Sequence, residues 1–344
     1  MPATPLALFV GMPGLELSPS EVAFFREANP FGLFLFKRNL DNPEQIKRLV
    51  AQFRDAVGRQ DAPVYIDQEG GRVQRLDNGN WPLFRSLGDF GALARKDLET
   101  GKHALRLSSL AMGTMLSELG LGSGTTPVVD LARQDTHNVI GNRSFGDDPD
   151  LVIALGQVVV DAMLEVGSMP IFKHIPGYGR VSVDPHFDCP VVEASVADMA
   201  GSDFRPFVAL KDAPWAMVAH LIFTQIDKDR PASVSPVVCE MIRRDLGFDG
   251  VIITDCLTME ALSGTWPERV RAALDAGYDI ALHSQGDLAA REAAASEAAK
   301  AARPLSTQSL ARIDRAQKRL GSHRHDVQAL HAEVEGIFRE NGFA

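Results

Sequence analysis

The 344-residue chain predicts an α/β protein, a (β/α)8 barrel with an extra C-terminal helical segment. Three observations predict it. Eight short apolar runs recur along the chain, amphipathic helical patterns fall between them, and titratable residues close most of the runs.

The runs are LALFVGM (6–12), FGLFLFK (31–37), PVYID (63–67), TPVVD (126–130), PIFKH (170–174), WAMVAH (215–220), VIITD (251–255) and YDIALH (278–283). Near-continuous hydrophobicity over so few residues fits strands of a parallel sheet covered on both faces. Between them, SEVAFFREA follows Pro19, and NPEQIKRLVAQFRDAV opens on an Asn-Pro start. Another helix, SPVVCEMIRRDLGF, begins at a Ser-Pro cap and ends at Gly247. Proline in the first turn and glycine just past the end are the expected punctuation. Residues 304–340 read as a further amphipathic stretch outside the barrel. No repeat or linker divides the chain, so residues 1–344 are expected to form one domain, within the length that α/β barrels reach.

Composition narrows the function. A net charge of −10 argues against nucleic acid, whose binders carry a basic excess on the relevant face. Cys189, Cys239 and Cys256 are odd in number and lack metal-ligand spacing, which points to a reducing compartment and no disulfide framework. The opening MPATPLALFVGMPG has no basic leader region, and its apolar run is too short to span a bilayer. The expectation is a cytoplasmic monomer with a small-molecule partner, and no membrane, metal or cofactor.

Asp67, Asp130, His174, His220, Asp255 and His283 each close an expected strand. In such barrels the C-terminal strand ends build the active site. One such Asp is commonly just a turn former or helix cap; several on one rim predict a polar, carboxylate-rich pocket. Gly70 and Gly71 fit a tight turn and not a nucleotide loop, since no dinucleotide or phosphate-loop pattern follows.

The segment KHIPGYGRVSVDPHFD (173–188) sets Asp184 and His186 two apart, so in extended backbone their side chains share a face. An Asp on one imidazole nitrogen fixes the tautomer and leaves the other nitrogen to transfer a proton. Gly177 and Gly179 suit a loop that closes. Asp255, fixed on a strand end, is a rigid carboxylate on the same expected rim.

Four blocks carry a family resemblance: IDQEGGRVQRL (66–76), NRSFGDDPDLV (142–152), KHIPGYGR…DPH (173–186) and GFDGVIITDCLTMEAL (247–262). With FGLFLFKRNLDNPEQI and AHLIFTQID…PASVS, the chain resembles bacterial β-N-acetylhexosaminidases of glycoside hydrolase family 3, the NagZ type, over nearly its whole length. The resemblance implies a barrel enzyme that removes β-linked N-acetylglucosamine from peptidoglycan fragments, GlcNAc–anhydro-muramyl peptides, in cell-wall recycling. It assigns Asp255 as nucleophile, His186 as acid/base and Asp184 as its partner. Asp67, Arg75, Arg143, Lys173 and His174 match the sugar-binding positions; each also reads as one half of an ion pair, with partners such as Glu69 or Asp147.

Two departures stand out. Ile175 and Tyr178 occupy an aromatic and a histidine position of the family pattern, and Pro185 stands between Asp184 and His186, fixing φ and removing a donor. They bear on rate and loop closure more than on reaction class. Competing readings are a sugar-binding pseudoenzyme and a family 3 phosphorylase, whose histidine would tolerate attacking phosphate better than an anionic glutamate. A metal-dependent amidohydrolase barrel needs a His-x-His pair after the first strand, where this chain reads GMPG. A β-glucosidase of the family carries a second domain for which this chain is too short.

Overall fold

The computed structural model describes residues 3–133, 140–181, 189–259, 262–283 and 288–343. Its strands are β1 (Leu6–Val10), β2 (Pro30–Leu35), β3 (Val64–Ile66), β4 (Gln68–Gly70), β5 (Val73–Gln74), β6 (Ile171–Ile175), β7 (Val191–Val192), β8 (Trp215–Val218), β9 (Ile222–Phe223), β10 (Val251–Cys256) and β11 (Ile280–His283). The helices are α1 (Pro19–Ala28), α2 (Pro43–Val57), α3 (Leu87–Lys96), α4 (Leu98–Glu118), α5 (Pro149–Glu165), α6 (Val196–Ala200), α7 (Arg205–Ala209), α8 (Pro236–Arg244), α9 (Trp266–Asp275), α10 (Leu288–Ala301), α11 (Thr307–Gln317) and α12 (Val327–Glu340).

Seven of the eight apolar runs contain a strand, and these strands form one parallel sheet in the order β3-β2-β1-β11-β10-β8-β6. The sheet is strongly curled. Five strand steps separate β3 from β8, which at ~4.8 Å per step would put them about 24 Å apart if flat. Instead the rings of Tyr65 and Trp215 lie 5.8 Å apart, with Phe9 4.9 Å from Tyr65 and Phe31 6.1 Å from Trp215. These aromatic rings fill the concave side. Gly32 makes room for them: a Cβ there would stand 2.2 Å from the Phe9 ring.

The expected strand at 126–130 is the exception. Residues 122–129 form isolated bridges only, Ser123 with Tyr65 and Val128 with Lys173. Ile66 and Gln68 donate to the carbonyls of Ser123 and Gly124, at 3.1 and 2.9 Å, and Ile171 and Lys173 donate to Thr126 and Pro127, at 2.9 and 3.0 Å. The segment thus leaves β3 and reaches β6 within two residues. Thr125 turns with φ of 48°, and Pro127 has no N–H to give, so neither edge gains a run of consecutive pairs.

The helices begin where the sequence marks them. Ser18 and Glu21 form a capping box on α1, Asn42 caps α2 before Pro43, and Ser235 caps α8 before Pro236. Helix α8 stops at Arg244, three residues before Gly247. The C-terminal segment is helical as expected. Arg312 of α11 reaches Asp279 at 3.0 Å and Asp249 at 2.9 Å. Helix α12 seats buried Phe338 edge-on against Phe90, 5.2 Å away, a burial worth about 2–3 kcal/mol.

Candidate active site

The curled sheet brings its C-terminal strand ends to one rim, where a cavity of about 250 Å³ opens. Asp67, Arg75, Arg143, Lys173, His174 and Asp255 all line it. These are the six candidate site residues that fall among the described residues. The other two, Asp184 and His186, lie in 182–188, outside the described residues. Apolar Phe34, Met217 and Leu282 form part of the wall, the mixed lining expected of a small-molecule site.

Local geometry explains how each polar group arrives. Asp67 follows β3 directly. The β4–β5 hairpin carries Glu69 and presents Arg75 just after it. Gly70 has φ of 96°, and a Cβ there would sit 2.4 Å from the Arg85 carbonyl. Only glycine permits that conformation and approach, so the hairpin lies flat on residues 84–86 with Gly71 N–H bonded to Phe84 O at 2.8 Å. Glu69 is thereby held inside, 2% exposed.

Around it the charges interlock. Glu69 takes a bidentate fork from Arg143, with Nε and NH2 both at 2.8 Å. Lys173 Nζ is 2.6 Å from Glu69, 2.9 Å from Thr125 Oγ1 and 3.5 Å from Asp67. Asp67 also accepts from Thr125 Oγ1 at 2.7 Å and Arg75 at 2.8 Å. Burial works to raise the Asp67 and Glu69 carboxyls, but the neighbouring cations win. Lys173 and Arg75 hold Asp67 far below the usual carboxylate range, and Arg143 and Lys173 bring Glu69 down to about 2. Burial likewise opposes the charge on Arg143, yet Glu69 raises it. Buried charges survive only when paired in this way.

His174 is fixed from behind. Its Nδ1 donates to Asp130 Oδ2 at 2.7 Å, while the backbone N–H groups of His174 and Tyr178 donate to the two Asp130 oxygens at 3.1 and 2.7 Å. That tautomer leaves Nε2 as acceptor, 3.4 Å from Arg143 NH2. Tyr178 stands edge-on to the His174 ring at 5.5 Å. Burial, with the charges of Asp255 and Asp130, pushes its phenol upward, so it remains a donor. Asp255 is half-buried, and its Oδ1 accepts the N–H of Cys256 at 2.6 Å. Its Oδ2 makes no hydrogen bond among the described residues.

Sequence reasoning did not assign Glu69, Thr125, Asp130 or Tyr178 to the site. Asp130 was visible as the end of an apolar run, and Glu69 as a neighbour of the paired glycines. The ion-pair alternative is also realised, since Arg143 and Lys173 both meet Glu69; Asp147 pairs instead with Arg95 at 3.0 Å. Among the described residues no group of three or more His, Cys, Asp or Glu side chains is arranged to hold a metal ion, and no helix is long and apolar enough to cross a membrane.

A curled parallel sheet whose rim gathers paired carboxylates, guanidinium forks and a half-buried aspartate is the apparatus of an enzyme acting on small polyhydroxylated molecules. Comparison with known proteins gives the class its name. The model of the glycosyl hydrolase family 3 N-terminal domain matches residues 13–322. The beta-hexosaminidase of Stenotrophomonas maltophilia is 38% identical over 283 residues, 80% of this chain and 82% of its own. That of Xanthomonas campestris pv. campestris is 34% identical over 307 residues, 88% and 90% respectively. The crystal structure of NagZ from Neisseria gonorrhoeae in complex with N-trifluoroacetyl-D-glucosamine superposes with a TM-score of 0.85 at 29% identity, covering 97% of this chain and 98% of that one. The chain belongs to glycosyl hydrolase family 3, in its β-N-acetylhexosaminidase group.

Proposed function

We propose that the protein is a retaining exo-β-N-acetylglucosaminidase that acts on GlcNAc–anhydro-muramyl peptide fragments in cytoplasmic cell-wall recycling. One observation carries the reading: the six described candidate residues line a single cavity, where Asp255 Oδ2 makes no hydrogen bond among the described residues. Asp67, Glu69 and Lys173 are held rigid and charged before any ligand arrives, and such preorganised groups fix hydroxyls at little cost at the moment of binding. In the first step Asp255 attacks the anomeric carbon, the bond to the leaving oxygen breaks, and His186 gives that oxygen its proton. In the second, His186 takes a proton from water, the water oxygen bonds the anomeric carbon, and Asp255 leaves. Asp184 orients and charges the imidazole. Arg75, Arg143 and His174 complete the sugar contacts.

The same reading treats residues 1–344 as one domain. Segment 122–129, bonded to both edge strands, stands in for the eighth strand of a distorted barrel, and the protein works as a monomer.

A fluorinated GlcNAc donor tests the reaction. It is expected to label the peptide containing VIITDCLTM at Asp255 and to inactivate the enzyme in step. A β-GlcNAc aryl glycoside should turn over where the matching β-glucoside does not. Label on another peptide, or no label with sustained turnover, removes Asp255 from the role; release of GlcNAc 1-phosphate in phosphate buffer would make the enzyme a phosphorylase.

A further inference from the structure

Strand β10 runs past its neighbour. Its pairing with β8 ends at Thr254 opposite Val218, and beyond it Ala219 N–H bonds the other neighbour, donating to Ile175 O of β6 at 3.1 Å. The carbonyl of Cys256, two residues past that pairing, accepts the N–H of Met259 at 3.1 Å. An imidazole from the end of β8 adds a second donor to it: His220 Nε2 lies 3.0 Å from Cys256 O, and His220 Nδ1 lies 2.7 Å from Ser233 Oγ. A carbonyl only accepts, so Nε2 carries the proton and Nδ1 receives the Ser233 hydroxyl. His220 is 1% exposed and Ser233 fully buried, and burial lowers the pKa of the ring, which keeps it neutral.

Residue 256 is thus gripped at both ends. His220 holds its carbonyl, and its N–H donates to Asp255 Oδ1 at 2.6 Å. We infer that His220 and Ser233 are positioning residues for the nucleophile, setting the peptide plane after Asp255 and through it the direction of the other carboxylate oxygen, Oδ2. The inference rests on the reading of Asp255 as the attacking group. The pair acts on the angle of attack, so it is felt in both chemical steps and independently of the leaving group. Misplacing a reacting atom by about 1 Å costs on the order of 100-fold in rate.

The test uses the full-length protein with a series of aryl β-GlcNAc glycosides of graded leaving-group acidity, and azide as an added nucleophile. His220→Leu is expected to lower kcat about 100-fold, by the same factor across the series, with the affinity for GlcNAc within about threefold and no azide rescue. His220→Gln keeps a donor at the Nε2 position and should recover to within about tenfold of wild type. Ser233→Ala leaves the ring but frees its orientation and should cost about tenfold in kcat. A loss that grows with leaving-group pKa, or azide rescue, would make His220 a proton donor and overturn the inference. So would His220→Gln as impaired as His220→Leu. If His220→Leu does not fold, wild-type kcat in Ser233→Ala overturns it. Asp255→Ala run in parallel separates the two readings. If it retains turnover, both fall; if it is dead while His220→Leu is within threefold of wild type, this inference falls alone.

Discussion

The ammonium of Lys173 lies 2.6 Å from Glu69 Oε1 and 3.5 Å from Asp67 Oδ1, so one buried cation serves two carboxylates. Removing it leaves Asp67 to Arg75 and Glu69 chiefly to Arg143. Lys173→Met is expected to destabilise the fold by about 3 kcal/mol, the cost of stranding a buried charge, and to weaken GlcNAc binding by about 100-fold. Chemical denaturation and calorimetric titration measure the two effects separately.

The same cluster dictates an acid limb of stability. Glu69 falls from its ordinary 4.5 to about 2, and Asp67 also lies below its ordinary value. A carboxylate depressed by folding contributes its stability above the unfolded pKa and loses it as pH falls through the folded one. The Tm should therefore be insensitive to this cluster from pH 5 to 8 and drop between about pH 4.5 and 2. Glu69→Gln should lower Tm at pH 7 and flatten that drop. An unchanged acid limb in the variant would mean that other carboxylates control it.

If His186 delivers the proton, His186→Ala should damage substrates with basic leaving groups far more than those with acidic phenols, which depart unprotonated. The glycosyl-enzyme then accumulates for want of a base, and azide, needing no deprotonation, restores turnover as a β-glycosyl azide. Asp184→Asn should give a milder form of the pattern. Equal losses for every leaving group, without azide product, would leave His186 a binding residue.

Gly70 offers a structural test without touching a charge. Alanine there meets both a positive φ and the Arg85 carbonyl, so Gly70→Ala should cost about 2 kcal/mol or more. Because the strain falls on the hairpin carrying Glu69, KM should rise while kcat changes less. A variant with native Tm and KM would show that the hairpin yields freely.

Seven strand positions were legible because each combines a buried apolar run with a continuous parallel ladder to at least one neighbour, the condition under which near-continuous hydrophobicity is informative. TPVVD has the same composition, yet its backbone-to-backbone bonds among the described residues reach β6 alone, those to the other edge being made by Ser123 and Gly124 before the turn at Thr125, and composition does not encode that. The candidate site was legible where a residue closes a strand: Asp67, Lys173, His174 and Asp255 all reach one cavity. Glu69 was hidden by the hairpin. Its inward direction depends on Gly70 and Gly71 pressing against residues 84–86, a contact between segments that share no local pattern.

The cavity's charge pattern has a consequence for solution behaviour. Arg75, Arg143 and Lys173 share the lining with Asp67, Glu69 and Asp255, and the contacts of Asp67 and Glu69 with these cations, 2.6–3.5 Å, are much shorter than the ~8 Å screening length of physiological salt. A neutral sugar entering such a wall displaces water and no mobile counterion. Its Kd should stay within about twofold between low salt and about 0.5 M NaCl, unlike ligands whose binding releases condensed ions. Titration of GlcNAc across that range is the check. A steep salt slope would mean that small ions compete for these groups in the open cavity.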